Sequence, residues 1–365
     1  MRISGNLKNR LWLVLAFLLL IIFIKLFAAN SSWIENYYST SFYYFFSTFL
    51  RILFGWIPFS MGDILYFIAG FWLMIKIIKY CALLFKRRFT KEIFFSKLLK
   101  LFLIFIAIYI VFNIFWGLNY DRKGIGWQLD LRVNEVEYDT SNLKLIQELL
   151  LKKVNETKQV LISNKTLYPD RKALFERAKH CYTTAEKKYS FLYYKSNSVK
   201  SSLYGNLGNY LGFTGYYNPF TGEAQVNTTL PKFLLPYITL HEMGHQLGYA
   251  KENEANFSGY LAAENSGDPL FQYSAYLDLF VYANREVYYF DTILSKNAVT
   301  KLIPEVKSDL IEWRRFNEAH TGFFEPAITW LYGKYLQINQ QPKGMRSYNE
   351  VIVMIIAYYK KFGRI

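Results

Sequence analysis

The chain has 365 residues, of which 52% are hydrophobic and 19% aromatic, and it carries a formal net charge of +15. Its apolar residues crowd into the first third, which argues against a wholly soluble chain and points to a membrane region. The charge does not imply nucleic-acid binding: much of it sits in one loop, and the rest is dispersed as helical lysines suited to solvent or anionic lipid.

Taken in chain order, the first predicted span is Leu11 to Ala29, interrupted only by Lys25, whose long side chain can reach the interface. Trp33 to Trp56 is rich in Tyr, Phe and Trp, as expected of a segment at the interface or packed on the spans. A second span covers about Pro58 to Ile78. The third, Leu101 to Tyr120, is uncharged over 20 residues, enough for about 30 Å of hydrocarbon. Arg2, Lys8 and Arg10 precede the first span, and Lys86, Arg87, Arg88, Lys91, Lys97 and Lys100 lie between the second and third, whereas Arg51 is the only basic residue between the first and second. The positive-inside rule then places the amino terminus and the basic loop in the cytoplasm and everything after Tyr120 outside. The first span could also be a cleaved signal peptide ending near Ala28-Ala29; an uncleaved span is preferred, because the small residue wanted three positions before a cut is not cleanly supplied. Cys81 and Cys181 fall on opposite sides of the bilayer in this reading, so no disulfide framework is expected.

Residues 121–365 have the length of one outer domain, against 1–120 for the membrane region. Ser141 to Ser163 and Asp170 to Tyr189 read as amphipathic helices, and Glu223 to Asn227 as a short strand. Further helical patterns lie near Gln272 to Leu294, Pro304 to Glu318, Glu325 to Gln337 and Tyr348 to Phe362. The expected fold is thus three transmembrane helices followed by a mostly helical α+β domain with a small sheet. The strand before the motif helix could offer an exposed edge to an extended peptide; the rival reading makes Gly212 to Gly222 a turn-rich connection.

The run His241-Glu242-Met-Gly-His245 carries the chemistry. Four residues apart on a helix, the two imidazoles share one face and can hold one zinc ion, with Glu242 beside the open coordination position. Zinc lowers the pKa of a bound water to roughly 7, and Glu242 could take its proton during attack on a carbonyl and pass it to the leaving amine. A third ligand must come from downstream. Gly248 can end the helix in a left-handed cap, and a second helix from Lys251 to Ala263 would return Glu252 and Glu254 towards the histidines. Either could close the site; Glu252 is favoured because Asn256, four residues on, shares its face and could orient a ligand histidine. A metzincin-type site would want histidine where this chain has Lys251. Tyr216, Tyr217, His320, Arg346 and Tyr348 are candidate donors to a transition-state oxyanion.

Three spans before an outer domain, together with Trp56-Ile-Pro-Phe-Ser60-Met-Gly-Asp63, Trp116-Gly-Leu-Asn119-Tyr120, Tyr217-Asn-Pro-Phe-Thr221-Gly-Glu223-Ala-Gln225-Val-Asn227, the His241 to Gly248 run and Gly344-Met-Arg346-Ser347-Tyr348, resemble an uncharacterised bacterial membrane family known only as a domain of unknown function. The resemblance implies a zincin-like metallopeptidase fold and draws attention to Tyr217 and Tyr348 among the donors. Glu252-Asn-Glu-Ala255-Asn256 is similar to the gluzincin pattern in which the first glutamate binds zinc, which implies Glu252 as ligand and Asn256 as its companion. The chain departs from that pattern in having Asn256 for aspartate and a much shorter gap after His245. The resulting expectation is a zinc metallopeptidase anchored in the bacterial cytoplasmic membrane and acting outside it on peptide bonds of envelope or membrane-proximal proteins. The alternative is a non-catalytic scaffold or sensor stabilised by zinc.

Overall fold

A computed structural model describes residues 5–85, 91–133, 139–322 and 325–365. Arg2, Lys86, Arg87 and Arg88, used above for orientation, lie outside the described residues, as do the side chains of Lys8, Lys91 and Tyr348. The helices are α1 (Gly5–Ala28), α2 (Tyr43–Gly55), α3 (Met61–Phe85), α4 (Lys91–Phe115), α5 (Thr140–Ser163) and α6 (Arg171–Ala185). Strand β1 (Val199–Ser201), helix α7 (Gly205–Leu211) and strands β2 (Gly215–Asn218) and β3 (Glu223–Val226) come next. They lead into α8 (Leu235–Gln246), α9 (Glu252–Asn265), α10 (Pro269–Phe290), α11 (Thr292–Thr300), α12 (Pro304–His320), α13 (Glu325–Ile338) and α14 (Val351–Phe362).

Three stretches, Asn9–Ala28, Met61–Ala82 and Phe94–Phe115, are long and apolar enough to cross a membrane. The second begins at Met61 because Ser60 caps it, its hydroxyl accepting from the Asp63 N–H at 3.0 Å. The third lies closer to the amino terminus than its hydropathy suggested. Lys97 and Lys100 belong to the helix, and the chain leaves it at Phe115 for a 3-10 turn, Gly117–Asp121. Hydropathy alone cannot separate residues exposed for lipid from residues buried in protein: Phe105 is 61% exposed, Trp116 only 5%.

Between α1 and α3 a π-helical stretch, Ile34–Phe42, runs into α2. The hydroxyls of Thr40 and Ser41 donate to carbonyls five residues back, both at 2.7 Å, in keeping with the wider winding. One face of this segment buries Ile34, Glu35, Tyr38, Tyr43 and Arg51, while Tyr37, Phe45, Phe49 and Trp56 remain exposed. Arg51 is therefore a structural cation inside the protein rather than a surface charge.

Aspartates start several of the later helices: Asp139, Asp170, Asp268 and Asp291 each accept from a backbone N–H in the first turn. Helix α14 starts at Val351, three residues later than its sequence pattern suggested, because a 3-10 turn occupies Gly344–Glu350. The sheet has the order β1-β3-β2, with β1 parallel and β2 antiparallel to β3. The strand expected to offer an edge, β3, is instead central and fully buried. The edges belong to β1 and β2, and β2 forms from residues that had also read as a connection.

The sheet rests on the start of α3. Glu223 accepts from the N–H groups of Met61 (3.1 Å) and Gly62 (2.6 Å), placing a carboxylate where an α-helix carries unpaired donors and positive dipole. Asp63 accepts from Leu203 N–H at 2.6 Å and also from the Tyr216 hydroxyl. The segment after the first apolar helix is tied to the one after the third by the buried pair Glu35–Arg122, at 2.7 Å with a second contact at 3.1 Å. Burial by itself would raise the Glu35 pKa, but Arg122, helped by Gln128, holds it below the usual carboxylate range.

Removing one partner of such a pair strands a buried charge, at about 3–5 kcal/mol. Glu35→Gln is expected to lower the thermal midpoint of the detergent-solubilised protein markedly at neutral pH. Because the folded-state pKa is depressed, the pair's contribution is present at neutral pH and fades as pH falls through that depressed value. A stability–pH profile of the variant should therefore show a flatter acid limb than the parent; an unchanged limb would remove Glu35 from the account.

Candidate metal centre

Helix α8 runs through the core with almost every residue buried. It stops where Gly248 takes a left-handed φ of 85°, with its N–H on the His245 carbonyl at 2.9 Å. A side chain at that position would strain the backbone and crowd Tyr43 and Asn119. The reversal allows α9 to begin at Glu252 and pack back along α8.

His241, His245 and Glu252 converge, each offering one ligand atom, with all three atoms within 4.8 Å of one another. Glu252 Oε2 lies 3.2 Å from His241 Nε2 and 3.6 Å from His245 Nε2. The opposite ring nitrogens are held as well: His241 Nδ1 lies 2.7 Å from Asn256 Oδ1, and His245 Nδ1 lies 2.7 Å from the Tyr249 carbonyl. Those acceptors favour protons on Nδ1 and leave both Nε2 lone pairs aimed at the shared point. The Tyr332 hydroxyl donates to Glu252 Oε1 at 2.8 Å, and the Glu252 N–H donates to Gln341 Oε1 at 2.9 Å.

The electrostatics are those of a dry, compact cluster. Burial would raise the Glu252 pKa, but the two imidazoles overcome it and hold the carboxylate well below its ordinary range. Burial likewise opposes an imidazolium at His241, yet Glu252 and Glu242 bring its pKa up to about 9. Two imidazoles and one carboxylate, all buried and with Glu252 Oε2 lacking a hydrogen-bond partner, suit a divalent cation better than they suit one another.

Glu242 sits beside this cluster under β2. A Cβ added to Gly215 would fall 2.5 Å from Glu242 Oε1, so only glycine allows the strand to pass so close. Burial, opposed by His241 and His245, pushes the Glu242 carboxyl up to about 7, and its Oε2 has no hydrogen-bond partner. Glu254 is also buried on α9, but its carboxylate lies against Gly124 and outside the three-residue cluster.

The donor candidates scatter. Tyr217 is close, its ring 4.6 Å from Trp116, which meets His245 edge-on at 5.9 Å, and its hydroxyl accepts from Tyr43 at 3.1 Å. Burial pushes the Tyr217 phenol up to about 12. Tyr216 is engaged with Asp63, His320 bonds the Phe316 carbonyl, and Arg346 stacks on Tyr289. The Tyr348 side chain, as noted, is not among those described. Sequence reasoning missed Tyr332 and Gln341, which lie about 80 and 90 residues beyond Glu252 in segments without a motif. Trp116 did carry a signal, because it opens one of the quoted segments.

Comparison with curated proteins and with solved structures finds no match. A family model described as "Protein of unknown function (DUF3810)" matches residues 38–356. That range takes in the second and third apolar helices, the sheet and the whole His241–His245–Glu252 cluster, and on this match the chain belongs to the DUF3810 family.

Proposed function

We propose that this protein is a membrane-anchored zinc metallopeptidase of zincin-like, gluzincin-type design, with residues 121–365 as its catalytic domain on the outer side of the bacterial cytoplasmic membrane. The observation that carries the reading is the pairing of a three-donor buried cluster with a separate buried carboxylate, Glu242, that is not one of the three. A purely structural zinc site fills four positions with protein ligands and has no use for a base. His241, His245 and Glu252 would hold the ion, which when bound would supply Lewis acidity and an acidified water.

The chain's own groups then have distinct tasks. Glu242, desolvated and near neutrality, accepts a proton from the attacking water and returns it to the departing amine. Asn256 and the Tyr249 carbonyl fix the imidazole orientation, and Tyr332 restrains Glu252. Gly215 lets β2 lie beside Glu242, so an extended peptide paired with that edge strand would run past the base. Tyr217, whose hydroxyl accepts from Tyr43, retains its own proton for donation towards a developing oxyanion. The charge bias of the amino terminus and basic loop supports the outer placement, and with it envelope or membrane-proximal substrates.

Metal analysis of the purified full chain is expected to find about one zinc per chain. The ion should be lost in Glu252→Ala and retained in Glu254→Ala; folded parent protein without zinc would sink the proposal. Glu242→Gln should keep the metal while hydrolysis of a peptide library falls by at least about a hundredfold. Gly215→Ala should act the same way more mildly, by displacing the base. Tyr332→Phe should weaken zinc binding by about 10- to 100-fold in chelator competition, and unchanged affinity would deny Tyr332 its positioning role.

A further inference from the structure

Helix α13 covers the cluster with only part of its surface. Tyr332 reaches inward to Glu252, and Leu336 is buried. Leu331, Tyr335 and Ile338, spaced by four and three residues, form a separate stripe along one side of the helix. Leu331 is 59% and Ile338 82% exposed, which leaves large aliphatic groups uncovered beside a buried polar site.

The direction of that stripe is set by Tyr335. Its hydroxyl lies 3.1 Å from that of Tyr120, only five residues beyond Phe115, the last residue of the third apolar helix. The same edge of the molecule carries a second uncovered patch, Leu203 and Leu207, 58% and 54% exposed at and just before α7. Leu203 donates its N–H to Asp63 in the first turn of the second apolar helix. Two separate elements of the carboxyl-terminal part are therefore pinned to the ends of two apolar helices, and both present leucine or isoleucine there. The segment between the first two apolar helices also leaves Tyr37, Phe45, Phe49 and Trp56 exposed.

We propose that the Leu331–Tyr335–Ile338 stripe of α13, with Leu203 and Leu207, is a lipid-docking surface that rests in the interfacial layer of the same bilayer the apolar helices cross. The partner is the acyl-headgroup boundary of a phospholipid leaflet. Continuity with the apolar helices favours it, and so does Lys334, exposed on the same helix, where an ammonium can meet lipid phosphate. Docking would hold α13, and with it Tyr332, over Glu252. The inference concerns the surface alone and stands whether or not the cluster hydrolyses peptides.

The test uses the full chain in nanodiscs of phosphatidylethanolamine and phosphatidylglycerol. In a Cys81→Ser background with Cys181 left buried, nitroxide is attached to Leu331→Cys, Ile338→Cys and, as a control on another side of the helix, Gln337→Cys. Collision rates with dissolved oxygen and with a water-soluble nickel chelate are compared. Lipid docking predicts oxygen collisions exceeding nickel several-fold at 331 and 338, with the reverse at 337. Nickel dominance at 331 and 338 would show a water-facing stripe and overturn the proposal. Suppression of both collision rates there would overturn it too, indicating a protein cover such as a second copy. All three positions are on the surface, and a label at Leu203→Cys reads the neighbouring patch independently, so one poorly folding variant does not decide the outcome.

Discussion

The carboxyl end of the motif helix is buried, and a buried helix end cannot leave its last carbonyls unpaired. The Gly244 and His245 carbonyls take N–H groups of the turn that follows, and those of Gln246 and Leu247 are satisfied from the membrane-proximal segments. Arg51 donates to the Gln246 carbonyl at 2.9 Å and Arg122 to the Leu247 carbonyl at 3.3 Å. Two buried cations at a helix carboxyl terminus also oppose its negative dipole. Each needs its own compensation, which Arg122 finds in Glu35 and in the Tyr249 ring 4.6 Å away, and Arg51 in Thr48 and the Tyr194 ring. The position of His245, the penultimate residue of this helix, depends on the whole arrangement.

The His241–His245–Glu252 cluster and the membrane-proximal segments are thus packed as one unit rather than joined by a tether. Tyr249 shows the coupling most directly. Its carbonyl lies at His245 Nδ1, its ring lies under Arg122, and its hydroxyl donates to Gln128, which in turn donates to Glu35. A change in the segment following the first apolar helix would reach the imidazole through three contacts. A division of the chain at residue 120, natural from composition, cuts through this network.

What could be read from the sequence follows from how local each signal is. The two histidines, the intervening glutamate, the glycine turn and the returning helix lie within 16 residues, from His241 to Asn256, and helical spacing alone places them on matching faces. Helices α5 and α6, capped by Asp139 and Asp170, were visible for the same reason, whereas the pattern read from Gln272 to Leu294 ran past Asp291, which ends α10 and caps a separate helix, α11. The third apolar helix was misplaced because Trp116, Leu118 and Tyr120 are as apolar as the lipid-exposed residues before them, and only tertiary packing separates the two. The central position of β3 is a fact of pairing between strands, which a single short run of alternating residues does not encode. Tyr332 and Gln341 reach Glu252 across long stretches of chain, so their importance is purely spatial. The oxyanion donor suffers from abundance instead: among 31 tyrosines, residue type carries little information.

The cluster's place relative to the third apolar helix follows from one covalent step and one ring contact. Phe115 ends the third apolar helix, the next residue is Trp116, and its ring meets the His245 ring at 5.9 Å. The His241–His245–Glu252 cluster therefore stands one aromatic side chain away from the end of the third apolar helix. Tyr120 and Tyr335 close the same side with paired hydroxyls, and Tyr217 packs at a tilt against Trp116 from the sheet. A wall of aromatic rings with polar edges suits the boundary between hydrocarbon and water, where one end of a residue is dry and the other wet. Any ligand that reaches His241, His245 and Glu252 does so beside the end of the third apolar helix and its aromatic neighbours, and this constraint limits its chemistry before any specificity pocket acts.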